Sequence, residues 1–136
     1  MTPITVLGFD YGRKRLGIAV GQSVTGTANP LTVLPVRSGE PDWQVLARLV
    51  ADWTPGAMIL GWPTTADGGP TGLEDEITQF EAALMSRFHL PVHRIDERLS
   101  SHEAGQRQTK FGAPLDAYAA QVIIETWFTE VLRRGG

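Results

Sequence analysis

The stretch Ile4-Thr5-Val6-Leu7-Gly8-Phe9-Asp10-Tyr11-Gly12-Arg13-Lys14-Arg15-Leu16-Gly17-Ile18-Ala19-Val20 decides how the rest of the chain is read. Ile4 to Phe9 is a short apolar run rich in β-branched residues, which predicts a buried strand. Gly12 marks a turn. Leu16, Ile18 and Val20 alternate with smaller residues, so a second strand folds back on the first as a hairpin. Asp10 closes the first strand, and Arg13, Lys14 and Arg15 cluster just beyond it.

Leu31 to Val36, bounded by Asn29-Pro30 and Ser38-Gly39, predicts a third strand. The period then changes. Trp43, Leu46, Val50 and Trp53 fall at helical spacing, and Thr54-Pro55-Gly56 stops that helix. Ala57 to Leu60 is a short apolar strand that ends at Gly61-Trp62-Pro63. A polar loop from Thr64 to Gly72 follows. Thr71 and Glu74 have capping-box spacing, and Leu73, Ile77, Phe80, Leu84 and Phe88 mark the apolar stripe of a long helix. Pro91 to Ile95 predicts a fifth strand, ending in Asp96-Glu97-Arg98. Ser100 and Glu103 form a second capping-box pattern for a short helix. Ala113-Pro114 sets up a last helix running to about Leu132.

This order predicts one α/β domain over residues 1–136. Its mixed five-stranded sheet has strands one to three antiparallel and strands four and five parallel to the first, with helices on both faces. Ligands gather beyond the carboxyl ends of parallel strands. Asp10, Gly61-Trp62-Pro63 and Asp96-Glu97-Arg98 all fall there.

Asp116 joins the two strand-end acids through helical spacing. Ala119, Ala120, Ile123 and Trp127 lie three, four, seven and eleven residues on, so Asp116 continues the buried stripe at the rim of the core. Asp10, Glu97 and Asp116 in one pocket would repel one another. A divalent cation relieves that repulsion, and oxygen donors without histidine or thiolate favour Mg²⁺ or Mn²⁺. Singly, each acid also reads as a turn residue, a surface ion pair or a helix N-terminal acid. Their convergence carries the functional reading: a two-metal phosphodiester hydrolase with these three as catalytic residues and metal ligands.

Composition fits this reading. The chain has 136 residues, 42% hydrophobic and 20% charged, as in an ordinary soluble domain. It has no cysteine, which excludes disulfides, thiolate zinc sites and cysteine nucleophiles. No apolar run approaches membrane-span length and no signal-peptide pattern opens the chain, so the expected compartment is the cytoplasm, with no membrane partner. The net charge is −3, so nucleic-acid contact would rest on local groups. Arg13 and Arg15 form one, and Arg98, Arg107 and Lys110 a second.

Four motifs, in order, resemble the YqgF/RuvX family. Gly8 to Ala19 is similar to its opening GxDxGxxRxGxA, and Leu60-Gly61-Trp62-Pro63 to its V-G-x-P loop. Asp96-Glu97-Arg98-Leu99-Ser100-Ser101, then Glu103-Ala104, resembles DERLTT-x-x-A, and Asp116-Ala117-Tyr118-Ala119-Ala120 the terminal D-A-x-A-A helix. The segment from Gly105 to Leu115 is shorter and less basic than such families usually carry. The resemblance implies a ribonuclease H-like fold related to the RuvC resolvase, with the family acids at Asp10, Glu97 and Asp116. It also implies a nuclease that matures the 5′ end of pre-16S ribosomal RNA in ribosome biogenesis. The alternatives are a Holliday junction resolvase, which should be a two-fold homodimer, and a non-catalytic nucleic-acid-binding adaptor. A phosphotransferase of the actin–hexokinase type would need a second such domain.

Overall fold

The computed structural model describes residues 3–63, 71–96 and 115–133. Five strands make one sheet in the order β3-β2-β1-β4-β5. They are β1 (Thr5–Tyr11), β2 (Arg15–Gln22), β3 (Thr27–Pro35), β4 (Ala57–Trp62) and β5 (Val92–Asp96). β1–β2 and β2–β3 are antiparallel, whereas β1–β4 and β4–β5 are parallel, as expected. Three helices are described: α1 (Trp43–Trp53), α2 (Glu74–Phe88) and α3 (Leu115–Arg133). The expected helix after Ser100 falls outside the described residues. None of the described helices is long and apolar enough to cross a membrane.

Side-chain alternation sorts the central strands onto two faces. Leu7, Phe9 and Tyr11 of β1 join Leu16, Ile18 and Val20 of β2 beneath Leu46 of α1 and Ile77, Phe80 and Leu84 of α2. Phe80 touches Phe9, Tyr11 and Trp43, with ring centroids 5.2–5.8 Å apart. On the opposite face, Val6, Ala19, Ala57, Ile59 and Ile95 meet Ala120, Ile123, Ile124 and Phe128 of α3. β1 and β4 are buried on both faces, which explains their continuous apolar runs.

The caps follow their residues. Asp42 caps α1 by accepting the Gln44 and Val45 amides at 3.0 and 3.4 Å. Thr54 ends that helix in the left-handed region at φ 42°, and Pro55 forbids continuation. At α2 the Thr71–Glu74 pairing forms in a shifted version. Glu74 accepts the Thr71 amide at 2.7 Å and the Gly72 amide at 2.9 Å, while the Thr71 hydroxyl accepts the Leu73 amide at 3.3 Å. These bonds, the Thr71 amide foremost, hold the Glu74 carboxyl below the usual carboxylate range.

Two local expectations change. β3 begins at Thr27, before the Asn29-Pro30 signal. Its register with β2 shifts at Ile18/Ala19, so Ala19 faces Pro30 and Ile18 faces Thr32. Proline is tolerated because β3 is an edge strand and the irregularity absorbs Leu31. Trp53, read as part of the α1 stripe, is 37% exposed at the helix end. Leu49 packs against the core beside Val50 instead.

Candidate active site

Asp10 sits directly across β1–β2 from Gly17. Such cross-strand neighbours project to one face, with β-carbon positions roughly 5 Å apart. Asp10 shares its parity with Val6 and Gly8, so it faces α3. A β-carbon at Gly17 would collide with the carbonyl of Asp116. The backbone of Asp116 therefore occupies the space beside Asp10, and the two acids become neighbours.

Glycine makes this approach available. A β-carbon at Gly8 would meet Ile124 and come within 3.0 Å of the Ala120 carbonyl, and one at Gly21 would meet Ile124 at 2.5 Å. Gly8, Gly17 and Gly21 thus form a shallow groove in which α3 lies almost against the strands. Asp116 is in the first turn of α3, where a carboxylate suits the helix dipole. Ala120 and Ile123 below it are fully buried, as the helical spacing predicts. The groove escaped the sequence reading. Its signal was present, because glycines inside a strand pattern mark close backbone approach.

Arg15 reaches this point from the start of β2. Its Nε lies 2.9 Å from Oδ2 of Asp116, with side chains 69% and 31% exposed. Arg13, also read as a phosphate contact, turns elsewhere. It donates to the Gly72 carbonyl at 3.2 Å and lies 3.7 Å from Glu76, tying the hairpin turn to the start of α2. Glu97, Arg98, Arg107 and Lys110 lie outside the described residues, as does Thr64 to Pro70 of the polar loop. β5 ends at Asp96, paired in register with Trp62.

Trp62 packs on the α1/α2 core, and the Arg94 guanidinium covers its ring at 4.1 Å. Glu81 grips the same guanidinium with bonds of 2.9 and 2.7 Å. These bonds raise the Arg94 pKa further above an already high value. The sequence reading passed over this Arg94–Glu81–Trp62 cluster, since its members come from three separate elements.

Chemically, the two aspartates are hard oxygen donors. Asp10 and Asp116 suit a small divalent cation. Among the described residues no group of three histidine, cysteine, aspartate or glutamate side chains is gathered for one.

Comparison with known proteins agrees with this architecture. The family described as RuvX, Holliday junction resolvase, matches residues 4–130. A protein of Hydrogenovibrio crunogenus named "Putative pre-16S rRNA nuclease" is 43% identical over 122 residues, covering 90% of this chain and 91% of its own. An Azotobacter vinelandii protein of the same name is 43% identical over 135 residues, covering 94% and 95%. Among solved structures, Thermus thermophilus RuvC in complex with a Holliday junction substrate aligns with a TM-score of 0.60 at 17% identity, covering 95% of this chain and 96% of that one. That likeness carries the fold, which is ribonuclease H-like. With 43% identity to these relatives over nearly the full length of each chain and a family match over residues 4–130, the chain belongs to the RuvX family.

Proposed function

We propose that this protein is a divalent-metal-dependent endonuclease that processes the 5′ end of pre-16S ribosomal RNA. The observation that carries the reading is the docking of Asp116 over Gly17, which sets it beside Asp10 in a chain of a nuclease family. The names of the relatives support the ribosomal substrate.

In this reading Asp10, Glu97 and Asp116 hold Mg²⁺ or Mn²⁺. Ile95 packs with α3 and His93 stacks on Trp127 of that helix. When bound, two such ions would activate water and stabilise the leaving oxygen of a phosphodiester. The chain supplies the rest. Its carboxylates fix the site at the open end of the sheet, and Arg15, Arg98, Arg107 and Lys110 contact backbone phosphates. Arg13 contributes there only on leaving Glu76.

The test sets Mg²⁺- or Mn²⁺-dependent cleavage of precursor 16S RNA beside cleavage of a synthetic four-way DNA junction. Asp10→Asn, Glu97→Gln and Asp116→Asn should each slow cleavage by more than about 100-fold, beyond the usual cost of losing a group that merely supports a ligand. Undiminished cleavage by any of them removes that residue from the mechanism. The family description favours a second reading, a Holliday junction resolvase. Paired symmetric cuts in the junction by a two-fold dimer, with precursor RNA left intact, would establish it.

A further inference from the structure

We infer that Arg15 is a displaceable counter-ion of the metal site, pairing with Asp116 in the metal-free protein and yielding it when a divalent cation binds. The inference rests on the metal-holding role proposed for Asp10 and Asp116.

The backbone of Arg15 is fixed while its side chain is free to move. Its carbonyl accepts the Gly12 amide at 2.8 Å, closing the hairpin turn, and its register partner on β3 is Pro35. Alternation along β2 puts Arg15 on the face of Gly17, Ala19 and Gly21, the face that α3 covers. The guanidinium therefore stands beyond Gly17, at the end of the groove, where Asp116 emerges. It meets Asp116 through one ion pair, Nε to Oδ2, and most of its side chain remains in solvent.

Arg94 shows what an anchored arginine looks like here. Two nitrogens bind a Glu81 side chain that is only 17% exposed, and the guanidinium also lies on Trp62. Among the described residues Arg15 has neither the second bond nor the aromatic bed. An exposed pair like Arg15–Asp116 biases an equilibrium by only about two- to five-fold. Such a pair is too weak to exclude a divalent ion. Arg15 and the ion need the same carboxylate, and their like charges oppose simultaneous occupancy. Once released, the guanidinium is available to an incoming phosphate.

The experiment titrates the full chain with Mn²⁺ alone, following free Mn²⁺ by electron paramagnetic resonance at low salt. It compares wild type, Arg15→Gln and Asp116→Asn, with thermal melts confirming that each is folded. Arg15→Gln should bind Mn²⁺ about two- to five-fold tighter, and the difference should shrink at high salt as the pair is screened. Binding that is unchanged or weaker in Arg15→Gln, while Asp116→Asn loses affinity, overturns the counter-ion role and leaves the metal site standing. Wild-type affinity in Asp116→Asn overturns the metal reading and this inference with it.

Discussion

The two faces of the sheet are built on opposite principles. Under α1 and α2 the interface is made of large side chains, with Phe9, Tyr11 and Trp43 each in ring contact with Phe80. Under α3 it is made by omission, with Gly8, Gly17, Gly21 and Ala19 leaving room for a helix to approach the strands. Side-chain packing of the first kind can relax by rotamer changes when a residue is altered. At Gly17 the contact has little freedom, because the obstacle is the Asp116 carbonyl of the helix itself. The stiff face is the one that carries Asp10 and Asp116. Stability is thus concentrated on one side of the sheet and the precise placement of the acids on the other.

That contrast can be broken by experiment. Phe80→Ala should have the largest effect on stability, about 4 kcal/mol in urea unfolding, since it empties the centre of the aromatic cluster. Its folded fraction should still cleave at the wild-type rate. Gly17→Ala should lower stability less, by about 2 kcal/mol. However, it should slow cleavage on the order of 100-fold, because the Asp116 backbone must move away from Asp10. If Gly17→Ala loses only stability, or Phe80→Ala loses specific activity when folded, the division of labour between the faces is wrong.

The smallest effect concerns the cap of α2 and sharpens the comparison away from both cores. Hydrogen bonds from Thr71 and Gly72 lower the Glu74 pKa in the folded protein. A lowered folded pKa means that the folded state resists protonation there. The resulting stability is present above the unfolded carboxyl pKa of about 4.3 and is lost as pH falls through the folded value. Thermal melts from neutral to acid pH should show Glu74→Gln already missing this increment at neutral pH. The gap to wild type should then narrow in acid. A constant gap would deny Glu74 its role in the cap.

The strands and the described helices were legible in the chain because local rules govern them. The hairpin from Ile4 to Val20 follows from alternation about Gly12, and α2 from its stripe and its Thr71–Glu74 cap. Helical spacing put Asp116 at the start of the last helix, in line with its buried stripe, and the structure places it in that first turn. Local rules failed where packing or an edge intervened. Asn29-Pro30 reads as a boundary, yet an edge strand absorbs it by a register shift. Trp53 continues a helical stripe, yet the stripe outruns the core at the helix end.

By itself, then, the sequence determined the order of the described elements and their apolar faces, because periodicity and residue chemistry act over a few neighbouring positions. Only the tertiary structure decided that Asp116 rests over Gly17 beside Asp10, that Arg15 pairs with Asp116, and that Arg13 turns to Gly72 and Glu76. Those choices depend on how closely α3 approaches the sheet. That distance is set by the absence of three side chains, which becomes meaningful only when the helix fills their space, with backbone at Gly17 and chiefly with Ile124 at Gly8 and Gly21.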